Sequence, residues 1–362
     1  IAVAEDSATA WVALQENNAI ARIDLGSNTV TDIFALGRID RREVPADLSD
    51  RDDAINITTV DVPLFSLRMP DAIAAYTAAD GQTYLVTANE GDAREWGDDE
   101  SDDTFFIDEV RVKDLGSDGY APLCADVFGD VAALQSDEQL GRLKVTVDAE
   151  MGTDEDGNPC YAELQAYGGR SFSIFTGDGR LVYDSGSDFE DITARVIPDY
   201  FNSNHDESEF DSRSDDKGVE PEAVTIGKVG DRTYAFIGFE RIGGIAVYDI
   251  TAPTAPVHVT YVNNRDFSVS GADTLVGAGD LGPEGIAFIA ADDSPTGQPL
   301  LAVGNEVSGT TTVWSVTDLV TPPAGDTPVD GDDGDDDTPD DPPAPAPDAQ
   351  PKKPAAMPAT GC

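Results

Sequence analysis

The feature that most constrains this chain is an internal repeat that occurs four times, with copies beginning at Ile1, Asp71, Glu222 and Glu284. Each copy has a small-apolar strand, a polar turn, a second β-rich strand such as TYLVTA, TYAFIG or LLAVG, and then an acidic residue. A third strand such as IAVYDI or TTVWSV often follows. Alternating apolar residues between turn signals favour antiparallel strands, so each copy is predicted to be a β-meander.

A further hairpin, RSFSIFTGDGRLVYDSG, lies between the second and third copies and has GDG as its turn. We therefore predict an all-β fold, a β-propeller over residues 1–320 with about five visible blades. Propellers typically carry 4 to 8 blades, and we expect a seven-bladed ring whose N-terminal blades are missing here. A β-sandwich is the alternative, but it does not account for the proline–acid pairs that start three copies. These pairs are Pro70–Asp71, Pro221–Glu222 and Pro283–Glu284.

Residues 321–362 have a different composition, rich in Pro, Asp, Gly and Ala and without aromatic residues. Such a segment cannot bury a core, so we predict a disordered stalk. Its MPATG segment, Met357–Gly361, resembles an LPxTG sorting signal, and the terminal Gly-Cys resembles a myxosortase-type tail. A chance match in a linker explains the motif equally well. We expect the export signal and the anchor to lie outside this sequence.

The 362 residues carry a formal net charge of -49, and the acidic residues are spread through the body as well as the tail. Self-repulsion of this size argues against nucleic acid and anionic membranes as partners. It indicates either a high-salt habitat or bound cations. No run of about 18 apolar residues occurs, so no transmembrane segment is predicted.

Acidic residues recur at the start of the first strand and after the second strand of a copy. In an antiparallel hairpin these two positions lie at the same end, so the acids should meet. The expected pairs are Asp71 with Glu90, Glu222 with Glu240, and Glu284 with Glu306, with Glu16 as the surviving member of the first copy. Acidic loops add further carboxylates at this end. The predicted metal-binding set is Asp71, Glu90, Asp215, Asp216, Glu220, Glu222, Glu240, Asp266, Asp280, Glu284 and Glu306.

Calcium is the cofactor that suits this set best, because it takes six to eight oxygen ligands in flexible geometry. Zinc would require His or Cys, and the only histidines are His205 and His258. Alternate polar residues in one loop have the oxygen spacing of a calcium loop, without the Gly and Glu of an EF-hand. A solvated acidic loop is the alternative. The residues are Asn202, Asn204, Asp206 and Ser208.

Other interpretations of the acids remain open. A head acid can accept hydrogen bonds from the backbone of the next blade. Arginines in the same motifs can pair with carboxylates or bind a phosphate or sulfate. They are Arg94, Arg213, Arg241 and Arg265. A metal-dependent phosphoesterase of the alkaline phosphatase or phytase type is therefore the second functional hypothesis, and a metal-free protein-interaction propeller is the third. No GxSxG, HExxH or Walker motif occurs, no catalytic residue is identified, and His205 is expected to be an exposed loop residue.

Cys124 and Cys160 flank one insertion, and their spacing permits a disulfide that closes a loop. Such a bridge fits an exported protein, and we expect it to form. Two free buried thiols are the alternative. Cys362 is left over at the last position.

Eight motifs occur in order along the chain: QENNAIA, LVTANEGDARE, DEVRVKDL, DSRSDDKGVEPE, RTYAFIGFERIGGI, YVNNRDF, GDLGPEG and GNEVSGTTT. Together they resemble the choice-of-anchor I domain of bacterial surface proteins. The resemblance covers nearly all of residues 1–320, and the family is similar to a mesenchyme-specific cell-surface glycoprotein associated with animal biomineralisation. Some members carry alkaline-phosphatase labels. The resemblance implies a propeller fold, export and surface attachment. We therefore expect an extracellular or cell-surface, non-enzymatic module that binds divalent cations, with phosphorylated or surface ligands as further candidate partners.

Overall fold

The computed structural model describes residues 1–97, 105–117, 119–269 and 277–317. These residues form five sheets of three or more strands and two two-stranded ribbons, which confirms the predicted all-β class. Helices in the described ranges are short. They are α1 (Ala125–Phe128), α2 (Val131–Leu134) and α3 (Asp188–Val196), with 3-10 turns at Gln15–Asn17, Val112–Asp114, Pro198–Tyr200 and Ala291–Asp293. The predicted stalk, residues 321–362, and its sorting-signal motif lie outside the described residues.

The first copy folds as the sequence predicts, into an antiparallel sheet whose strands follow chain order. Trp11 and Ile20 are its buried centre, and the Trp11 indole Nε1 donates to the carbonyl of Gly177, 2.9 Å away. That bond satisfies the one polar group of the buried indole. The strands are β1 (Ala2–Val3), β2 (Thr9–Leu14), β3 (Ala19–Asp24) and β4 (Thr29–Ala35).

The second copy corrects one prediction, because the hairpin Arg170–Gly186 does not form a blade of its own. The sheet order is β17-β16-β8-β7, and β16 pairs with β8 from Ser171 opposite Asn89 to Thr176 opposite Tyr84. The chain leaves β8 for a long insertion without a third strand, so the buried strand β8 needs another partner for its backbone groups. The hairpin supplies it. The strands are β7 (Ala72–Thr77), β8 (Thr83–Asn89), β16 (Ser171–Thr176) and β17 (Leu181–Asp184).

A sheet that the sequence did not predict is assembled from chain segments on both sides of the second copy. Its order is β11-β12-β15-β6-β5, and β15 pairs with β6 in parallel. Leu64, Leu143 and Leu164 form its buried centre. The strands are β5 (Arg38–Asp40), β6 (Leu64–Leu67), β11 (Glu109–Arg111), β12 (Lys144–Thr146) and β15 (Leu164–Ala166), and the ribbons are β9 (Glu95–Trp96) with β10 (Phe106–Ile107) and β13 (Met151–Thr153) with β14 (Pro159–Tyr161).

The predicted disulfide is confirmed. Cys124 and Cys160 form a disulfide with their Cα atoms 5.0 Å apart, at a sequence separation of 36. The bridge ties the residue before α1 to strand β14. Both side chains are buried, so the disulfide lies in the protein interior.

The third and fourth copies are antiparallel meanders in chain order. Strand β18 lies against β7 of the second copy and against β22 of the fourth. Between these sheets, Phe172, Phe189, Phe239 and Tyr248 form a buried aromatic core. The strands are β18 (Pro221–Val229), β19 (Arg232–Phe239), β20 (Ile245–Asp249), β21 (Val257–Val262), β22 (Pro283–Ile289), β23 (Leu300–Asn305) and β24 (Thr310–Ser315). No helix among the described residues has the length and apolar character needed to span a membrane.

Candidate functional site

The carboxyl groups of three repeat copies lie together at one end of their sheets. Oxygen atoms of Glu90, Glu222 and Glu240 are all within 4.8 Å of one another, and all three side chains are buried. Oxygens of Glu240 and Glu306 are also within 4.8 Å of each other. Asp71 and Glu284 are both within hydrogen-bond reach of Glu222. We call these six residues the acid cluster: Asp71, Glu90, Glu222, Glu240, Glu284 and Glu306.

Local backbone geometry explains how the head acids reach this position. Pro221 pairs with Phe239, and Pro283 pairs with Asn305, so each head lies opposite the end of the second strand. In both copies the register shifts immediately after the proline, at the position of the head acid. A β-bulge of this kind redirects a side chain out of the normal alternation. The bulges therefore point Glu222 and Glu284 toward the acid that follows the neighbouring strand.

Glu220 has a different environment, although it is only two residues from Glu222. It is fully buried and forms ion pairs with three basic side chains, those of Arg213, Lys217 and Arg241. The Lys217 Nζ lies 2.9 Å and the Arg241 Nε 3.0 Å from Glu220 Oε2. Burial alone would raise the pKa of Glu220, but the three cations lower it well below its usual value. Glu220 is therefore an ionised structural anchor whose two oxygens both face basic side chains.

The negative charge of Glu90 is partly balanced by Lys217. Its Oε1 lies 2.5 Å from Lys217 Nζ, and its Oε2 accepts a hydrogen bond of 2.5 Å from the Gln15 amide. Burial raises the pKa of Glu90 to about 8, even though Lys217 acts in the opposite direction. The first copy thus contributes Gln15 to the site, whereas Glu16, the acid expected there, is exposed.

Glu222 is the buried member of the acid cluster that lacks a basic partner in the described ranges. It is 7% exposed, and among the described residues it forms no ion pair with a basic side chain. Burial raises its pKa to about 10, and the charges of Glu90, Asp71, Glu284 and Glu240 act in the same direction. A buried carboxylate in such surroundings must bind either a proton or a cation.

His205 also belongs to this site, contrary to the prediction that it is an exposed loop residue. It is half-buried, and its Nδ1 lies 3.4 Å from Glu240 Oε1 and 3.0 Å from a guanidinium nitrogen of Arg241. A ring nitrogen of His205 and oxygens of Glu240 and Glu306 lie within 4.8 Å of one another. Lys217, which pairs with Glu90 and Glu220, was not predicted as part of the site. Its position in DDKGVEPE, just before the head acid, was the available signal.

Asp215 and Asp216 were predicted as metal ligands, but the structure pairs both with basic side chains. Asp215 lies 2.6 Å from Arg111, on strand β11, and 3.1 Å from Arg142, which lies two residues before strand β12. Asp216 lies 3.3 Å from Lys144 and also contacts Arg213. These contacts neutralise the two carboxylates outside the acid cluster.

Asp266 and Asp280 also lie outside the acid cluster. Asp266 is exposed and accepts hydrogen bonds from the backbone and hydroxyl of Ser268, which lower its pKa. Asp280 accepts hydrogen bonds from Asn264, Thr310 and Thr312. Both carboxylates therefore accept hydrogen bonds from neutral donors, those of Asp266 in its own loop and those of Asp280 from Asn264 and strand β24.

The four arginines predicted to bind anions are all engaged within the protein. Arg213 and Arg241 pair with Glu220, and Arg94 pairs with Asp108 and Asp148. Arg265 donates to backbone carbonyls of Asn204, Glu207 and Arg241, and its guanidinium lies 4.6 Å from the Phe267 ring centre. The described structure therefore offers no free arginine pair for a phosphate.

The acid cluster has the ligand chemistry of a hard divalent cation. Calcium–oxygen bonds are about 2.3–2.6 Å, so oxygens on opposite sides of the ion lie up to about 5 Å apart. The 4.8 Å limit for Glu90, Glu222 and Glu240 fits one ion among them. Glu240 has one oxygen directed to Arg241 and a second that no basic side chain in the described residues contacts.

Comparison with known proteins identifies relatives of the chain. Gigasin-3a of Magallana gigas is 33% identical over 208 residues, which cover 53% of this chain and 70% of that protein. A mesenchyme-specific cell surface glycoprotein of Strongylocentrotus purpuratus is 31% identical over 248 residues, 60% of this chain but only 30% of that protein's length. Among solved structures, Kuenenia stuttgartiensis hydrazine synthase matches 87% of this chain and 75% of its own at 12% identity and a TM-score of 0.24, too low to support an argument. The choice-of-anchor I domain model matches residues 1–253, and the chain belongs to the choice-of-anchor I domain family.

Proposed function

We propose that this chain is a surface or extracellular β-propeller module that binds calcium through the acid cluster without catalysing a reaction. The observation that carries the proposal is Glu222, a buried carboxylate beside Glu90 and Glu240 and without a basic partner in the described residues. Surface location is supported by the family and by a relative named as a cell surface glycoprotein.

The propeller arrangement accounts for how acids from separate copies reach one place. The sheets of the first, third and fourth copies have three or four antiparallel strands in chain order, as propeller blades do. In a propeller the corresponding strand ends of neighbouring blades face the central channel. Asp71, Glu222 and Glu284 occupy corresponding head positions in three copies, which supports a ring in which they line the same channel mouth.

Charge balance supports a divalent cation at this position. The acid cluster and Glu220 bring seven carboxyl groups together, whereas Arg213, Lys217 and Arg241 are the basic side chains paired with them. With all of them ionised the group carries four excess negative charges. Calcium tolerates irregular geometry and several carboxylates, whereas magnesium prefers strict octahedral geometry and retains water, so calcium suits this crowded group of carboxylates better.

The test is calorimetry of chelator-treated protein titrated with Ca²⁺, with Mg²⁺ and Mn²⁺ for comparison. We expect wild-type protein to bind Ca²⁺, and Glu222→Gln to weaken binding at least about tenfold because ligand charge sets calcium affinity. Asp292→Asn is the matched control. It changes an exposed acid at the opposite end of the hairpin that carries Glu284, and should leave binding unchanged. Wild-type protein without calcium-dependent heat or thermal stabilisation would leave the metal-free interaction module as the better function.

A second candidate, a metal-dependent phosphoesterase, is favoured by one observation. Glu240 belongs to both possible ligand groups, the one with Glu90 and Glu222 and the one with His205 and Glu306. A carboxylate shared by two metal ions is a recurring feature of two-metal phosphoesterases. Hydrolysis of phosphomonoesters or phosphodiesters in Mn²⁺, Zn²⁺ or Ca²⁺, lost in His205→Ala, would favour the enzyme. Its absence in all three metals would favour the binding module.

A further inference from the structure

A second group of oxygens lies in the loop that precedes the third copy. Two backbone hydrogen bonds close this loop at its base, from the amide of Asp211 to the carbonyl of Phe201 at 2.7 Å and from Arg213 to Asn202 at 2.8 Å. Arg265 supports the loop by donating to the carbonyls of Asn204 and Glu207. Segments 201–203 and 211–213 are therefore held side by side.

This loop concentrates buried oxygens that have no hydrogen-bond partner. Asn202 and Ser203 are 0% exposed and Asp211 is 2% exposed, so water does not reach them from the surface. Buried acceptors without a partner are uncommon in folded proteins. Five such atoms occur in the loop: Asn202 Oδ1, Ser203 Oγ, Asp206 Oδ1, Asp211 Oδ2 and Ser212 Oγ.

The nearby hydrogen-bond donors already bind other acceptors, and these bonds fix the orientation of the Asn202 and Asp211 side chains. The Asn202 amide nitrogen donates to Glu190 at 3.2 Å and to Ser214 at 2.8 Å, so its Oδ1 must face the other way. The Ser214 hydroxyl donates to Asp211 Oδ1 at 2.5 Å, which leaves Asp211 Oδ2 without a donor. Protein groups in the described residues therefore do not satisfy these oxygens.

We propose that this loop is a second cation site, separate from the acid cluster, in which Asn202 Oδ1, Asp211 Oδ2 and the hydroxyls of Ser203 and Ser212 bind a calcium ion. All four ligand atoms are oxygens, as calcium requires, and the Asp211 carboxylate supplies negative charge to the ion. Further ligands come from loop carbonyls or water. The bound ion orders the loop and thereby holds His205 against Glu240.

The test uses the full chain, treated with chelator and titrated with Ca²⁺ in a calorimeter. Wild type should show two classes of site, and Asp211→Asn should remove one of them or weaken it at least about tenfold. Glu209→Gln, which changes an exposed acid of the same loop, is the control and should match wild type. Glu222→Gln should retain the loop site. Equal stoichiometry and affinity in Asp211→Asn and wild type would overturn the proposal and indicate a buried water or a proton at this position.

A second measurement decides the matter if Asp211→Asn does not fold. Hydrogen–deuterium exchange of the Glu222→Gln variant should slow in amides 201–213 when Ca²⁺ is added, because binding suppresses local opening. Unchanged exchange in these amides would overturn the loop site. If Glu222→Gln abolishes every effect of calcium, the acid cluster is the only calcium site and the loop site is overturned. If only Asp211→Asn abolishes the effects, the loop is the calcium site and the acid cluster is not.

Discussion

Replacement of Glu222 by Gln removes one negative charge from the acid cluster and preserves the size of the side chain. Glu222 is 7% exposed and has no basic partner in the described part of the chain. The substitution leaves an amide that can hydrogen-bond to Asp71 and Glu284, which both reach Glu222. The change in the free energy of unfolding therefore measures the cost of burying the negative charge of Glu222.

The magnitude follows from the pKa of about 10 that burial and the neighbouring acids give Glu222 in the folded protein, against 4.5 for an ordinary Glu. Because the folded pKa is raised, its contribution to stability is fully present below pH 4.5 and is lost as the pH rises toward 10. At pH 7 the folded carboxyl is still protonated while the unfolded one is ionised, which costs about 3 kcal/mol. Gln ionises in neither state, so it avoids this cost.

In chelator at pH 7 we expect Glu222→Gln to be about 3 kcal/mol more stable than wild type, and at pH 4 the two should be similar. Calcium should remove most of this difference. An ion at about 100 times its dissociation constant adds about 2.7 kcal/mol to the wild type. The variant should gain much less because it lacks a charged ligand.

The assay is urea denaturation followed by tryptophan fluorescence, at pH 4 and pH 7, with chelator or with Ca²⁺. Glu220→Gln is a matched comparison because Glu220 lies two residues away, is fully buried and is paired with three cations. Leaving those cations without their partner should destabilise the protein by about 3–5 kcal/mol. A Glu222→Gln variant that is less stable than wild type in chelator, with an undiminished response to calcium, would refute the reasoning. Glu222 would then be a strut between blades.

The remaining predictions concern the scaffold and the reaction class. Replacing Cys124 and Cys160 by Ala should lower the free energy of unfolding by about 3–4 kcal/mol, the loop-closure value for a separation of 36 residues, and an unchanged urea midpoint would contradict it. Gly91→Ala should destabilise by more than about 3 kcal/mol and weaken calcium binding through Glu90, because φ is +94° and the new Cβ would lie 2.2 Å from the backbone nitrogen of Gly168. Gly81→Ala, at φ +78° with open space around it, should cost only about 1 kcal/mol in the same denaturation assay. With Ca²⁺ as the added metal, release of phosphate from phosphoesters should not exceed the enzyme-free rate, and turnover that follows protein concentration would refute the non-enzymatic function.

The sequence by itself determined the parts of this protein that depend on local order along the chain. Period-two apolar patterns and polar turns specify antiparallel hairpins, so the all-β class and the meanders of the first, third and fourth copies could be predicted. Hairpin geometry also predicts that Glu222 approaches Glu240, because the start of one strand and the end of the next are adjacent. The family resemblance, carried by ordered motifs, is confirmed over residues 1–253.

Tertiary structure alone decided which strands share a sheet and which acids are neutralised. The hairpin of β16 and β17 joins β8 because the insertion between them folds into a separate sheet, and a local pattern contains no information about such a distant edge. Glu220 and Glu222 look alike in the sequence EPE, yet one lies among three cations and the other among carboxylates. Asp215 is neutralised by Arg111, which lies 104 positions away. Burial and ion pairing depend on groups that only the folded chain brings together, and these two quantities determine whether a carboxylate is a structural partner or a candidate ligand.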